Sequence, residues 1–166
     1  MRPNQLHRQR RQAGFSLIEL LIVIAIIGIM AAVAIPRLQA YLASGRELAA
    51  ISSLKTIHNA QAQFNGTRGR FGTLKELSDA GLLETSYSSG NPVNQYRYTS
   101  PIAEADKYCI QATRQGPGAG ARDFNMIEDG TVRQVFSKAV NPIPHGEGTA
   151  VAAGDGAGPA AEAPKQ

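Results

Sequence analysis

A run of apolar residues from Phe15 to Ile35, broken by a single carboxylate, constrains this chain of 166 residues more than any other feature. As a helix its 21 residues span about 31 Å, which matches a hydrocarbon core of about 30 Å, so the segment can cross a membrane once. Glu19 is the exception within it. A carboxylate in such a place costs about 2.5 to 3.5 kcal/mol on insertion scales, so a chain that needed only an anchor would gain by carrying leucine there. Glu19 therefore calls for a partner in the membrane. The residues before the run hold Arg2, Arg8, Arg10, Arg11 and His7 and no acidic residue, which directs that leader to the cytoplasmic side. An ordinary secretory signal is the competing reading, because Ala32-Val33-Ala34 offers a small-x-small cleavage site. The length of the run, the presence of Glu19 and the helical pattern that continues after it all argue against that reading.

The stretch Gly14-Phe15-Ser16-Leu17-Ile18-Glu19, the apolar residues Leu20 to Ile27, then Gly28 and Pro36, together with the short basic leader, resemble the class III signal peptide proteins. These are the type IV pilins and the pseudopilins of type II secretion. The resemblance covers roughly the first third of the chain. It implies cleavage between Gly14 and Phe15 by a prepilin peptidase and N-methylation of Phe15. It also implies pairing of Glu19 with the Phe15 amine of an adjacent subunit during assembly, and loosening of the helix between Gly28 and Pro36 in the filament. The implied partners are the peptidase/methyltransferase, identical or related pilin subunits, an inner-membrane assembly platform and the inner membrane itself. The expected location is a single pass of the inner membrane with the head periplasmic, then an extracellular pilus or a periplasmic pseudopilus. The local physics of Gly28 and Pro36 agrees with a weakened helix, glycine by its backbone freedom and proline by its missing donor. Arg37 fits the end of a span, where it can snorkel to the interface.

Composition limits the rest to one globular head. The net charge of +4 suggests nucleic acid at first, but four of the seventeen basic residues lie in the leader, and the remaining thirteen are matched by thirteen acidic ones. The basic excess thus belongs to topology, and nucleic-acid binding by the mature chain has no charge argument. Cys109 is the single cysteine, so no intrachain disulfide can form. Relatives in the resembled family commonly close a C-terminal loop with such a bond, and here packing has to do that work. Cys109 alternates with apolar neighbours and reads as a buried, inert thiol.

Leu38 to Phe64 is rich in helix formers and has no proline, with Ile51, Leu54, Ile57, Gln61 and Phe64 in one stripe that should lie against a sheet. Asn65-Gly66 is expected to stop this helix. His58 beside the stripe has no second ligand at metal spacing and reads as a rim residue. Thr73-Leu74-Lys75-Glu76 fits a capping box opening a short helix that ends at Gly81, and Ser86 to Asn94 reads as loop. Strands are expected at Gln95–Thr99, Lys107–Thr113 and Phe124–Ile127. The hairpin signal Asp129-Gly130 then leads into a fourth at Thr131–Phe136. One face of this meander should cover the helix stripe and the other should meet solvent or neighbouring subunits. The last 28 residues, Ala139 to Gln166, hold eight alanines, five glycines and four prolines and read as a disordered tail. Removing Asn141 to Gln166 is accordingly expected to leave the head folded.

The expected organisation is a cleaved leader 1–14, a hydrophobic transmembrane and assembly helix 15–36, an αβ head 37–138 and a disordered tail 139–166. The fold class is α+β, a long N-terminal helix packed on about four antiparallel strands. No nucleophile constellation or phosphate loop is assembled. The acids Glu104, Asp106, Asp123, Glu128 and Asp129 do not form the dense alternating run of a calcium loop, so neither a cofactor nor a metal is expected. The chain thus reads as a structural filament subunit and not an enzyme. The alternatives are a type II secretion pseudopilin, and a membrane-anchored minor pilin or binding module for adhesion or DNA uptake.

Overall fold

A computed structural model describes residues 15–116, 122–135 and 145–151, and the chain divides into two units, one ending at Leu38 and one beginning at Gln39. Helix α1 (Leu17–Arg68) contributes to both. It runs four residues beyond Phe64, past the expected stop at Asn65-Gly66. The termination falls instead at Gly69, which takes a left-handed φ of 67° and donates its amide to the Asn65 carbonyl at 2.8 Å. Gly66 keeps an ordinary helical backbone, so the glycine that ends the helix is the one whose φ is positive.

In the second unit, α1 buries Ala50, Leu54, Ile57, Gln61 and Phe64 at intervals of three and four residues, with Ile51 half-buried beside them. Fully burying a leucine or isoleucine contributes roughly 1.5–3 kcal/mol, so this stripe, more than the propensity of its residues, holds the helix in place. Thr73 caps α2 (Leu74–Asp79) as expected: its hydroxyl accepts the Glu76 amide at 3.2 Å, and Glu76 accepts the Thr73 amide at 2.8 Å. Leu74 and Leu77 enter the core, and Gly81 with φ 72° closes the element. Within the stretch read as loop, Thr85–Ser88 forms a single helical turn, α3.

Among the described residues, five strands form one antiparallel sheet in the order β1-β2-β3-β4-β5: β1 (Tyr96–Ala103), β2 (Tyr108–Arg114), β3 (Asp123–Ile127), β4 (Val132–Val135) and β5 (Thr149–Ala150). Tyr96, Tyr98, Tyr108, Ile110, Ala112, Phe124, Met126 and Val132 share the face that packs on the α1 stripe. Register follows directly, Ile110 opposite Met126 and Ala112 opposite Phe124, because a one-residue slip would turn every one of these side chains outward. β1 is an edge strand, and its ladder to β2 breaks between Thr99 and Ile102, where Pro101 could not donate.

Two expectations are corrected. The outer face does not simply meet solvent, since Cys109, Gln111, Asn125 and Ile127 are buried on it, and burial raises the Cys109 thiol above its ordinary value. The tail expectation fails at residues 145–151, where Thr149–Ala150 pair with β4 and Val151 packs on the core. Local composition could not show this, because two glycines whose backbone fits closely against β4 and Ile127 look the same in sequence as glycines in a linker. Phe136 and residues 152–166 lie outside the described residues.

A buried ion pair ties α1 to the sheet. Arg122 donates through Nε to Glu47 Oε2 at 2.9 Å and through its backbone amide to Glu47 Oε1 at 3.2 Å, while Nη1 reaches Gln134 Oε1 at 2.6 Å. His58, expected at the rim, is half-buried with its Nδ1 bonded to the Tyr108 hydroxyl, and the missing Cβ of Gly130 leaves room for its ring.

Candidate assembly helix

The described residues of the first unit form one helical segment, with none of its large apolar side chains buried. Helical bonding begins at Ser16, whose carbonyl accepts the amides of Glu19 at 3.1 Å and Leu20 at 3.2 Å. Glu19 therefore stands in the first turn of α1. The partial positive charge of a helix N-terminus favours an acidic side chain at that place. Phe15 stands two residues ahead of α1 and four positions before Glu19. Gly14 lies outside the described residues.

Large apolar side chains point outward on every side of this segment: Phe15 is 80% exposed, Ile18 65%, Ile29 70% and even Val23 43%. An 18-residue window reaches a mean hydropathy of 2.9 with none of it buried, so the helix is long and apolar enough to cross a membrane. A helix that is hydrophobic all round is stable only when lipid or other helices cover it. Gly28 has open space where a Cβ would stand. Pro36 lies inside the helix, which is assigned without interruption through both residues. The Pro36 ring withdraws the amide that would otherwise reach the carbonyl four residues back.

The segment from Glu47 onward obeys a different rule, with one buried stripe and one wet face. Sequence reasoning found that stripe but not the role of two polar residues in it. Glu47 is held by Arg122, a residue 75 positions away, and Gln61 binds the backbone of Gly72 through both its amide atoms. Among the described residues, no group of three or more His, Cys, Asp or Glu converges.

Residues 9–35 match the family described as Prokaryotic N-terminal methylation motif, a window that includes Gly14, Phe15, Glu19 and Gly28. Over 122 residues the chain is 30% identical to the type IV major pilin protein PilE of Neisseria gonorrhoeae, covering 74% of this chain and 72% of that one. The chain belongs to the family of type IV pilins and pseudopilins. Within it, the type IV major pilin protein PilA of Myxococcus xanthus is 44% identical over 61 residues, which are 37% of this chain and 28% of that pilin. The type II secretion system core protein G of Aeromonas hydrophila is 32% identical over 73 residues, 44% of this chain and 51% of its own. The similarity to the Neisseria pilin extends past the apolar segment into the head, so it rests on more than a shared membrane composition.

Proposed function

We propose that this pilin is a structural subunit of a type IV pilus, cut between Gly14 and Phe15, methylated at the Phe15 amine and polymerised through its apolar helix. The observation that carries the reading is that helix itself, uncovered on all sides and bearing a carboxylate in its first turn. Lipid covers the apolar surface while the subunit waits in the inner membrane, with its leader cytoplasmic and its head periplasmic. In the fibre, the helices of neighbouring subunits cover it. A prepilin peptidase/methyltransferase and an inner-membrane assembly platform are the partners this route requires, and the reading assigns the chain no catalysis.

Glu19 guides the step between the two environments. Two unit charges 4 Å apart attract by about 1 kcal/mol in water and about 4 kcal/mol at an effective dielectric of 20, so the pair between Glu19 and a neighbour's Phe15 amine strengthens near lipid. Glu19→Leu is expected to give a processed, membrane-resident and stable protein that fails to enter filaments. Filament yield in a strain carrying only the variant, set against membrane abundance by immunoblot, tests this. Wild-type fibre levels would remove Glu19 from the mechanism. Intact mass spectrometry checks the processing separately: a mature chain beginning at Ile35 would mean an ordinary signal peptide.

Loosening between Gly28 and Pro36 belongs to the assembled state in this reading, because packed neighbours can satisfy backbone groups that lipid cannot. A fibre reconstruction with an unbroken helix there would remove that element. The similarity to the Aeromonas secretion protein supports a second use of the same device, a pseudopilus subunit. Imaging of surface filaments, with identification of their principal protein, separates the two.

A further inference from the structure

The outer face of the β2–β3 pair carries side chains that are buried without belonging to the main core. Cys109 stands opposite Ile127, and Gln111 opposite Asn125. Above this face runs the segment from His145 to Val151, and it is anchored at four places. His145 Nε2 lies 3.2 Å from Glu128 Oε2. Asn125 Nδ2 donates to the Glu147 carbonyl at 2.7 Å. Thr149 and Ala150 pair with Gln134 and Arg133. The Val151 amide donates to the Val132 carbonyl at 2.9 Å.

Glycine makes the fit possible. Gly148 has a φ of 112°, and a Cβ there would stand 2.7 Å from the Gln134 carbonyl oxygen and 3.0 Å from Val135 Cγ2. Because the first of these contacts is with backbone, no side-chain rotation can relieve it. Gly146, with φ 75°, passes within 3.6 Å of Ile127 Cδ1 measured from the same ideal position.

We propose that residues 145–151 are a detachable clasp on the outer face of the β2–β3 pair, one that opens while the core beneath stays packed. The separation follows from what holds each part. Among the described residues, hydrogen bonds and one rim pair hold the clasp; His145 and Glu147 to Ala150 are exposed, and Val151 is its side chain that reaches the core. Segments with few apolar contacts and wet hydrogen bonds open locally at a small fraction of the global cost. The core face, with Tyr108, Ile110, Phe124 and Met126 fully or almost fully buried, lies on the opposite side of the same strands and loses only the contact of Val151 when the clasp lifts.

Cys109 reports on the clasp because it is the chain's single thiol, is fully buried and stands opposite Ile127, the residue that Gly146 lies against. The experiment uses the full-length protein in detergent micelles with a small maleimide. Gly148→Val is expected to speed labelling of Cys109 by about tenfold or more, while removal of 152–166, or Gly66→Ala in open space on α1, changes it by less than about twofold. The near-ultraviolet circular dichroism of the tyrosines should be retained in all three. Labelling of Gly148→Val at the unaltered rate would overturn the proposal. So would equal acceleration on removing 152–166, or loss of the tyrosine signal together with thiol protection. Native-state hydrogen exchange on the unaltered protein supplies a test that needs no variant: the Val151 amide should open at lower denaturant than those of Ile110 and Phe124. Opening of all three in one step would also overturn it.

Discussion

Gln61 sits fully buried in the middle of the apolar stripe of α1, where every neighbour in the pattern is hydrophobic. Its side chain reads the backbone of Gly72 in both directions: Nε2 donates to the Gly72 carbonyl at 2.5 Å, and Oε1 accepts the Gly72 amide at 2.9 Å. Gly72 is itself buried and cannot be moved outward by a larger residue, since a Cβ there would meet the Phe64 ring at 2.9 Å. Replacing Gln61 by leucine keeps the volume and deletes both bonds. The leucine gains transfer energy, but Gly72 is left with a donor and an acceptor away from water, each costing about 1–3 kcal/mol. The net loss works out at about 2–4 kcal/mol, a large share of the 5–15 kcal/mol typical of a domain. For a head of this size that is a fall in Tm of roughly 10–25 °C. Thermal and urea unfolding of the full-length chain in micelles, followed by tyrosine circular dichroism, gives the number. A loss below about 1 kcal/mol would show that Gly72 finds other partners and that the paired bonds do not hold the entry to α2.

Two smaller effects follow from local geometry. Asn94 and Gln95 both have positive φ, 51° and 65°, in a two-residue turn closed by bonds between Val93 and Tyr96. Glycine suits the second position of such a turn, so Gln95→Gly should stabilise by about 0.5–1 kcal/mol in urea unfolding, and an equal destabilisation would refute the strain argument. Glu76 is held at about 2, below its ordinary 4.5, first by the hydrogen bond from Arg70 and next by the Thr73 amide. Its contribution is complete above the ordinary value and disappears as pH falls from there towards 2. With 38% of the side chain exposed, solvent screening limits it. Glu76→Ala should therefore cost about 1 kcal/mol at pH 7 and flatten the acid limb of the stability profile. An unchanged acid limb would assign that slope to other carboxylates.

Features decided by neighbours in the chain were legible in the sequence. The Thr73–Glu76 box, the stripe from Leu54 to Phe64 and the Asp129-Gly130 turn each need only a few consecutive residues, and each stands where its pattern put it. The apolar segment with Glu19 was legible for the same reason, because lipid imposes its rule on every residue in the span. What composition concealed was pairing at a distance. Arg122 and Glu47 lie 75 positions apart, Asn125 and Glu147 lie 22 apart, and no periodicity links such residues. The end of α1 is concealed for a subtler reason: Gly66, the expected stop, keeps a helical backbone, and it is the positive φ of Gly69 that ends the helix.

Glu19 and Glu47 stand on the same helix, and together they argue that the described chain leaves one requirement unmet. Glu47 is 5% exposed, a position that would cost several kcal/mol for an uncompensated carboxylate. The cost is offset within the same molecule, since the Arg122 side chain and backbone amide both turn towards it. Glu19 lies in a segment bound for a medium of equally low dielectric, yet among the described residues it makes no ion pair. One helix thus carries two acids with the same electrostatic requirement, and among the described residues a cation is paired with only one of them. In the proposed assembly the second comes from another molecule. The cleavage proposed above at Gly14 supplies it, an amine at Phe15 four positions before Glu19 and repeated on every copy. On that proposal each incoming copy gains the charge the last one lacked, and growth of the fibre becomes the route by which the carboxylate finds its partner.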